Sequence, residues 1–248
     1  MEAEGREIDQ GESMGNTLVR RACHGDEEVM DMLPGQDHTN ANKPNEMGQT
    51  PLWLAASSGH EEVVKSILGR GDTDPNGPDN EGQTPLLCAA RNGHAEVVNI
   101  LLGRGDVDPN QADKGGKTPL LYAAQNGHEE VVKTLLGQAN IEPDKPDHAR
   151  QTPLWHAVAN GHDGVVELLL GRNDVNPDKP DDHGRTPLIC AARNGHEGVV
   201  KILLKQSDVD LNMRDNEGRT PLSCAAGNGH VRVVRMLLES DDDEVSLH

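Results

Sequence analysis

Aromatic side chains are almost missing from this sequence: 248 residues hold no phenylalanine, one tyrosine (Tyr122) and two tryptophans (Trp53 and Trp155). A compact core of that length normally draws much of its buried area from aromatic rings. Thin layers that touch their neighbours alone can be filled by Ala, Val and Leu instead. Long apolar runs are missing too. None approaches the roughly 20 residues needed to span a bilayer, and the acidic N-terminus lacks the apolar stretch of a secretory leader. The chain thus reads as soluble and intracellular, cytoplasmic with the nucleus also open to it, and without membrane association. Basic residues are scarce: 23 Lys and Arg stand against 42 Asp and Glu, a formal net charge of −19. Residues 1–14 carry −4 and residues 239–248 carry −5 of this, which leaves about −10 on the body. Binding to a nucleic-acid backbone needs surplus cations, so nucleic acid is excluded as a general partner. There is no P-loop and no G-x-G-x-x-G. Gly103-Arg104-Gly105-Asp106 reads as a helix terminator, and no cofactor is implied.

Cysteine is also sparse. Cys88, Cys190 and Cys224 share one position of a repeating frame, and Cys23 lies outside it. Stacking places Cys190 and Cys224 one layer apart, roughly the 8–10 Å between packed helices. A disulfide needs Cα atoms about 4.4–6.8 Å apart, so small buried thiols are expected, as suits a reducing compartment.

What is present is one motif, many times. Thr84 to Leu102 reads TPLLCAARNGHAEVVNILL, and near-copies begin at Thr50, Thr118, Thr152, Thr186 and Thr220, always 34 residues apart. A fixed period of that size means a stack of identical supersecondary units. Thr84 at an N-cap and Pro85 at the first helical position start a helix. Leu86, Ala89 and Ala90 give it a narrow apolar face, and Asn92-Gly93 ends it with a residue suited to the left-handed conformation. A second helix from about Ala95 buries Val97, Val98, Ile100, Leu101 and Leu102. Asp108-Pro109-Asn110 then opens a polar excursion that turns at Gly115-Gly116. The expected organisation is a flexible acidic tail over 1–10, a degenerate capping unit over 11–44, and six regular units: 45–78, 79–112, 113–146, 147–180, 181–214 and 215–248. The capping unit lacks the Thr-Pro pair and places Arg21 where later units have Ala.

T-P-L-x-x-A-A-x-x-G-H, then x-x-V-V-x-x-L-L and an Asp/Asn-rich turn with D-x-x-G-x-T, resembles the ankyrin repeat over residues ~11–248. Two departures stand out. The period is 34 rather than the family's usual 33, and the residue after T-P-L is Trp53, Leu87, Leu121, Trp155, Ile189 or Ser223 rather than the common His. The near-identical units also resemble arrays of fungal ankyrin proteins. The resemblance implies an all-α repeat solenoid, an ankyrin-type stack of helix–turn–helix units with β-hairpin-like finger loops. Fingers and first helices would line its concave face. It implies a protein partner, a structural role for the Gly-His histidines, and no catalysis.

The residues agree on chemistry. His60, His94, His128, His162, His196 and His230 fall in separate layers, too far apart to share an ion at the ~2.0–2.1 Å ligand distances of zinc. No metal site is expected. Asp79, Asp113, Asp147, Asp181 and Asp215 recur at one turn position and are expected to bond local backbone N–H groups. No nucleophile, base and acid stand out together.

Variation between copies carries the remaining information. Leu54, Cys88, Tyr122, His156, Cys190 and Cys224 share one slot of the first helix. Arg91 and Asn92, Gln125 and Asn126, Arg193 and Asn194 lie three and four residues later, on the same helix face. Finger positions vary as well, among them Lys114, Lys117, His148, His183, Arg185 and Arg219. The candidate partner-binding residues are therefore Leu54, Cys88, Arg91, Asn92, Lys114, Lys117, Tyr122, Gln125, His148, His156, His183, Arg185, Arg193, Asn194 and Arg219. Neutral drift on a solvated face fits the same variation. Unit 147–180 is the least regular, with Arg150 at the turn-Gly position and Val158 for an interface Ala. A hot spot and simple degeneration both fit it. The reading is a monomeric, non-catalytic scaffold or adaptor binding a protein on its concave face. The alternative is a sensing, autoinhibitory or oligomerising array of a larger switch assembly.

Overall fold

The computed structural model describes the backbone of residues 42–245 and the side chains of residues 42–240. The expected acidic tail and nearly all of the capping unit, with Arg21 and Cys23, lie outside the described residues. Among the described residues twelve helices follow in six pairs. The first helices are α1 (Pro51–Ser58), α3 (Pro85–Asn92), α5 (Pro119–Asn126), α7 (Pro153–Ala159), α9 (Pro187–Asn194) and α11 (Pro221–Gly227). The second helices are α2 (Glu61–Gly69), α4 (Ala95–Leu102), α6 (Glu129–Leu136), α8 (Asp163–Leu170), α10 (Glu197–Leu203) and α12 (Val231–Val245).

Every first helix starts for the reason the sequence predicts. The threonine hydroxyl accepts a hydrogen bond from the backbone N–H three residues on, as in Thr50 from Trp53 (3.1 Å) and Thr118 from Leu121 (3.2 Å). Proline at the first helical position has no N–H to leave unpaired. In α1, α3, α5 and α9 the closing residue is a left-handed glycine, with φ of 77°, 80°, 76° and 74°. That glycine is needed twice over. A Cβ on Gly93 would also lie 2.7 Å from Nδ1 of His128, the ring stacked on it from the next unit.

Those histidines tie the layers together. Nε2 of His94, His128, His162, His196 and His230 lies 3.0–3.1 Å from the carbonyl of Ser57, Arg91, Gln125, Ala159 and Arg193 respectively, each 37 residues back. A carbonyl can only accept, so Nε2 carries the proton and donates. Each acceptor sits at the end of the preceding unit's first helix, where carbonyls lack intrahelical partners. The structural role implied for these histidines is therefore a bond between layers.

Packing follows the stack. Leu52, Leu86, Leu120, Leu154 and Leu188, the leucines of Thr-Pro-Leu, are buried at one recurring position. So are Ala55/Ala56, Ala89/Ala90, Ala123/Ala124 and Ala191/Ala192. Their small side chains bring first helices closer to one another than the second helices come. Such a stack curves towards the first-helix side. In unit 147–180 the larger Val158 is fully buried, and α7 packs less closely on α9 than the other first helices pack on their successors.

The expected β-hairpin-like fingers are tight turns, and no strand occurs among the described residues. In each, the head residue, Asn45 in the first unit and an aspartate in the others, closes the turn from both ends: Asp79 N–H donates to the Gln83 carbonyl and its own carbonyl accepts from Gly82 (both 3.0 Å). Successive fingers are linked by one backbone bond per step, such as Asn80 N–H to the Met47 carbonyl and Lys114 N–H to the Glu81 carbonyl. A single bond per step is too sparse a ladder to make a sheet.

Candidate partner-binding face

The finger aspartates set up the face. In each, Oδ1 accepts from two backbone N–H groups of its own turn, two and four residues on: Glu81 and Gln83 for Asp79, Gly115 and Lys117 for Asp113, Ala149 and Gln151 for Asp147. Asp181 and Asp215 repeat the pattern. The expected local bonding is thus met by one oxygen. The second oxygen reads whatever the unit offers. Tyr122 donates its hydroxyl to Asp113 Oδ2 (2.8 Å), and His156 Nε2–H donates to Asp147 Oδ2 (3.0 Å). Arg185 Nε and Arg219 Nε reach Asp181 Oδ2 and Asp215 Oδ2 at 2.8 Å.

These partners give each layer a different electrostatic character. Burial pushes up the Asp181 carboxyl, but Arg185 and the turn N–H groups outweigh it and hold it below the usual carboxylate range. Asp215 is held down in the same way, with Arg219 and the backbone outweighing burial. Burial and the bond to Asp113 push the Tyr122 hydroxyl up to about 12, so it remains a neutral donor. Burial lowers His156, against the opposing pull of Asp147, so that its imidazole is neutral in the fold.

Around Tyr122 two cations converge. The Arg91 guanidinium lies 5.8 Å and the Lys117 ammonium 5.4 Å from the ring centroid. Their hydrogen bonds go to amide oxygens rather than carboxylates: Arg91 Nη1 to Gln83 Oε1 (2.9 Å) and Lys117 Nζ to Gln125 Oε1 (3.1 Å). In unit 147–180 the Arg185 guanidinium of the next finger lies 5.4 Å from the Trp155 ring. Trp53 donates its indole N–H to the Gln83 carbonyl (2.8 Å), whereas the Trp155 indole N–H is buried without a hydrogen-bond partner.

Curving helix pairs, linked fingers and a histidine bond at every layer are now in place, and a family model for ankyrin repeats matches residues 18–113, 105–181 and 154–247. The chain belongs to the ankyrin-repeat family. Ankyrin repeats are in general protein–protein interaction modules and typically non-catalytic. No curated protein matches the chain in a sequence comparison. No helix among the described residues is long and apolar enough to cross a membrane.

Placed on this ankyrin stack, the fifteen candidate residues separate into three groups. Arg193, Lys114, His148 and His183 are exposed, and Leu54, Arg91, Lys117, Tyr122, Gln125, Arg185 and Arg219 are half-buried along the fingers and first helices. Asn92 and Asn194 are exposed, but their amides bond the preceding layer, at Ser57 O (2.7 Å) and Ala159 O (3.1 Å). Cys88 and His156 are buried, which corrects their placement on an accessible face, and so is Cys190, which shares their slot but was not a candidate. Cys88 packs with Trp53 and Leu87 against Leu54 and Tyr122, and its Sγ lies 3.8 Å from Gln83 Oε1 of the finger. Burial pushes the Cys88 and Cys190 thiols up to about 12, so neither is a ready nucleophile. Cys88, Cys190 and Cys224 are free thiols.

Sequence reasoning overlooked the second oxygen of the finger aspartates, which orients Tyr122, His156, Arg185 and Arg219. The signal was available at the first two. A turn aspartate followed nine residues on by a polar side chain at the helix slot occurs at Asp113–Tyr122 and Asp147–His156.

Proposed function

We propose that this ankyrin array is a monomeric, non-catalytic adaptor in the cytoplasm that holds a partner protein along its fingers and first helices. One observation carries the reading. Tyr122 is half-exposed between Arg91 and Lys117, and neither cation is neutralised by a carboxylate bond. Tyrosine and arginine are the residue types that dominate interface energies when they are presented rigidly, and Asp113 and Gln83 hold these two in place. Elsewhere on the face, Arg185 and Arg219 are spent on their own finger aspartates. The contact is therefore centred on units 79–112 and 113–146.

The test is affinity capture with the whole chain and with a triple variant, Arg91→Ala, Lys117→Ala and Tyr122→Ala. Loss of a defined set of captured proteins, at unchanged helical circular dichroism, is expected. Capture of the same set by both would overturn the reading.

A second reading, an array that assembles with further copies or units, rests on Val231 and Leu238. Both lie on α12 and are exposed, at 67% and 48%. It predicts concentration-dependent self-association that Val231→Ser and Leu238→Ser abolish in sedimentation. A strict monomer at all concentrations removes it.

A further inference from the structure

One loop position recurs every 34 residues as Asn42, Asn76, Asn110, Asp144, Asp178 and Asn212. The asparagines at its first three occurrences each clasp the loop of the next unit with two bonds. Asn42 Nδ2 donates to Asp72 O (2.7 Å) and its Oδ1 accepts from Asp74 N–H (2.9 Å). Asn76 does the same with Asp106 O (2.6 Å) and Asp108 N–H (3.3 Å), and Asn110 with Asn140 O (2.7 Å) and Glu142 N–H (2.9 Å). Each clasp needs one donor and one acceptor, which a carboxamide supplies.

Asp144 and Asp178 take this position next, on either side of the α7–α8 layer. Asp178 Oδ2 accepts from Asp210 N–H (2.8 Å), as an asparagine Oδ1 would. Asp144 Oδ2 accepts from Lys179 Nζ (3.0 Å), which also donates to the Asp144 carbonyl (2.8 Å). In both residues the other oxygen, Oδ1, is buried and has no hydrogen-bond partner. In the asparagine clasps the amide meets the carbonyl thirty residues on, which for Asp144 and Asp178 is that of Asp174 and Asp208. An ionised carboxylate is an acceptor alone and cannot bond a carbonyl, whereas a protonated one has an O–H to donate.

We propose that Asp144 and Asp178 are acid-closed clasps: once protonated, each donates from Oδ1 to the carbonyl of Asp174 or Asp208 and locks the α7–α8 layer to its neighbours. The surrounding charges agree with this. Burial is the largest influence on both carboxyls and raises them. At Asp144, Lys179 and the Asn176 N–H pull the other way and Asp174 pushes up. At Asp178 the Asp210 N–H pulls down, while the Asp210 and Asp208 carboxylates push up. Both stand above their ordinary value. A carboxyl raised in the fold contributes stability that is complete below its unfolded value of about 3.9 and is lost as pH rises through the folded value. Near neutral pH the two clasps are open. They flank the layer that already carries Val158 and the unpaired Trp155 indole, so a one-dimensional stack would part there first.

Asparagine variants test this in the whole chain, because they supply the donor at every pH. Asp178→Asn and Asp144→Asn are expected to raise the thermal midpoint near neutral pH, by about 2–4 °C for the first. The rise is smaller for Asp144, which also gives up its ion pair with Lys179. The gap to the parent chain should close as the pH falls towards about 4. Carbon-13 carboxyl titration should place both midpoints above the ordinary aspartate value. A gap that is absent or independent of pH would overturn the proposal, and so would carboxyls that titrate at or below that value.

Discussion

Units 113–146 and 147–180 are neighbours built on one frame, and their differences separate what the frame requires from what it tolerates. At the finger turn, Gly116 (φ 80°) becomes Arg150 (φ 59°), the one non-glycine with positive φ among the described residues. At the layer interface Ala124 becomes Val158, and at the face Tyr122 becomes His156, each bonded to its own finger aspartate. On the loop edge, unit 113–146 is held to its predecessor by the Asn110 clasp, whereas unit 147–180 meets Asp144 at that position. Yet Thr152, Pro153, Leu154 and the His162 bond are all retained. Caps and interlayer bonds hold the fold, so turn, interface and face can each drift while the neighbouring layers stay in place.

The largest effects should come from the shared frame. Leu135→Ala and Leu169→Ala each delete a fully buried leucine at one position of the two units. Each should lower the unfolding free energy by about 2–5 kcal/mol in denaturant titrations. A loss below about 1 kcal/mol at Leu169 would break the claim that both layers pack on one frame. Gly127→Ala should cost about 1–3 kcal/mol, since the residue sits at φ 76° and its new Cβ would lie 2.7 Å from His162 Nδ1. The same change at Gly161, where His196 Nδ1 lies at 3.0 Å, should cost less.

The turn comes next. Arg150→Gly should raise stability by about 1 kcal/mol by removing a left-handed arginine. Its mirror image, Gly116→Arg, should lower it by more, because a Cβ there meets the His148 ring at 2.7 Å. An Arg150→Gly variant no more stable than its parent would show that unit 147–180 carries no strain at its finger.

The smallest effect separates the two face residues by pH. Burial keeps His156 neutral in the fold, while the unfolded chain takes up a proton as pH falls through about 6.5. Its contribution is therefore present above that value and is lost as pH falls towards the lowered folded value. His156→Gln should flatten that part of the stability profile and leave the Asp144 and Asp178 dependence, of opposite sign, untouched. An unchanged slope would place the histidine in solvent.

Much of the fold was legible because short-range chemistry writes it. Thr-Pro, Asn-Gly and the Val-Val-x-x-Leu-Leu stripe specify caps and faces within one unit, and every helix pair lies where they place it. The strain at Arg150 was legible for the same reason, since only a turn glycine is replaced there. The face was less so. Cys88, His156 and Cys190 share a slot with Tyr122, and helical spacing assigns all four to one side. Whether that side meets water depends on how far the finger reaches across it.

The sequence by itself determined the period and the spacing of the histidines, which the repeat displays directly, and the caps and buried stripes, because those depend on residues within one turn or one helix of one another. The tertiary structure alone decided which groups meet across 30 to 37 residues. His128 finds Arg91 O, Asn110 finds Asn140 O, and the unmatched Oδ1 atoms of Asp144 and Asp178 are left without a donor. Those pairings depend on the rise and rotation from one layer to the next, which the packing of whole helices sets and no local pattern encodes.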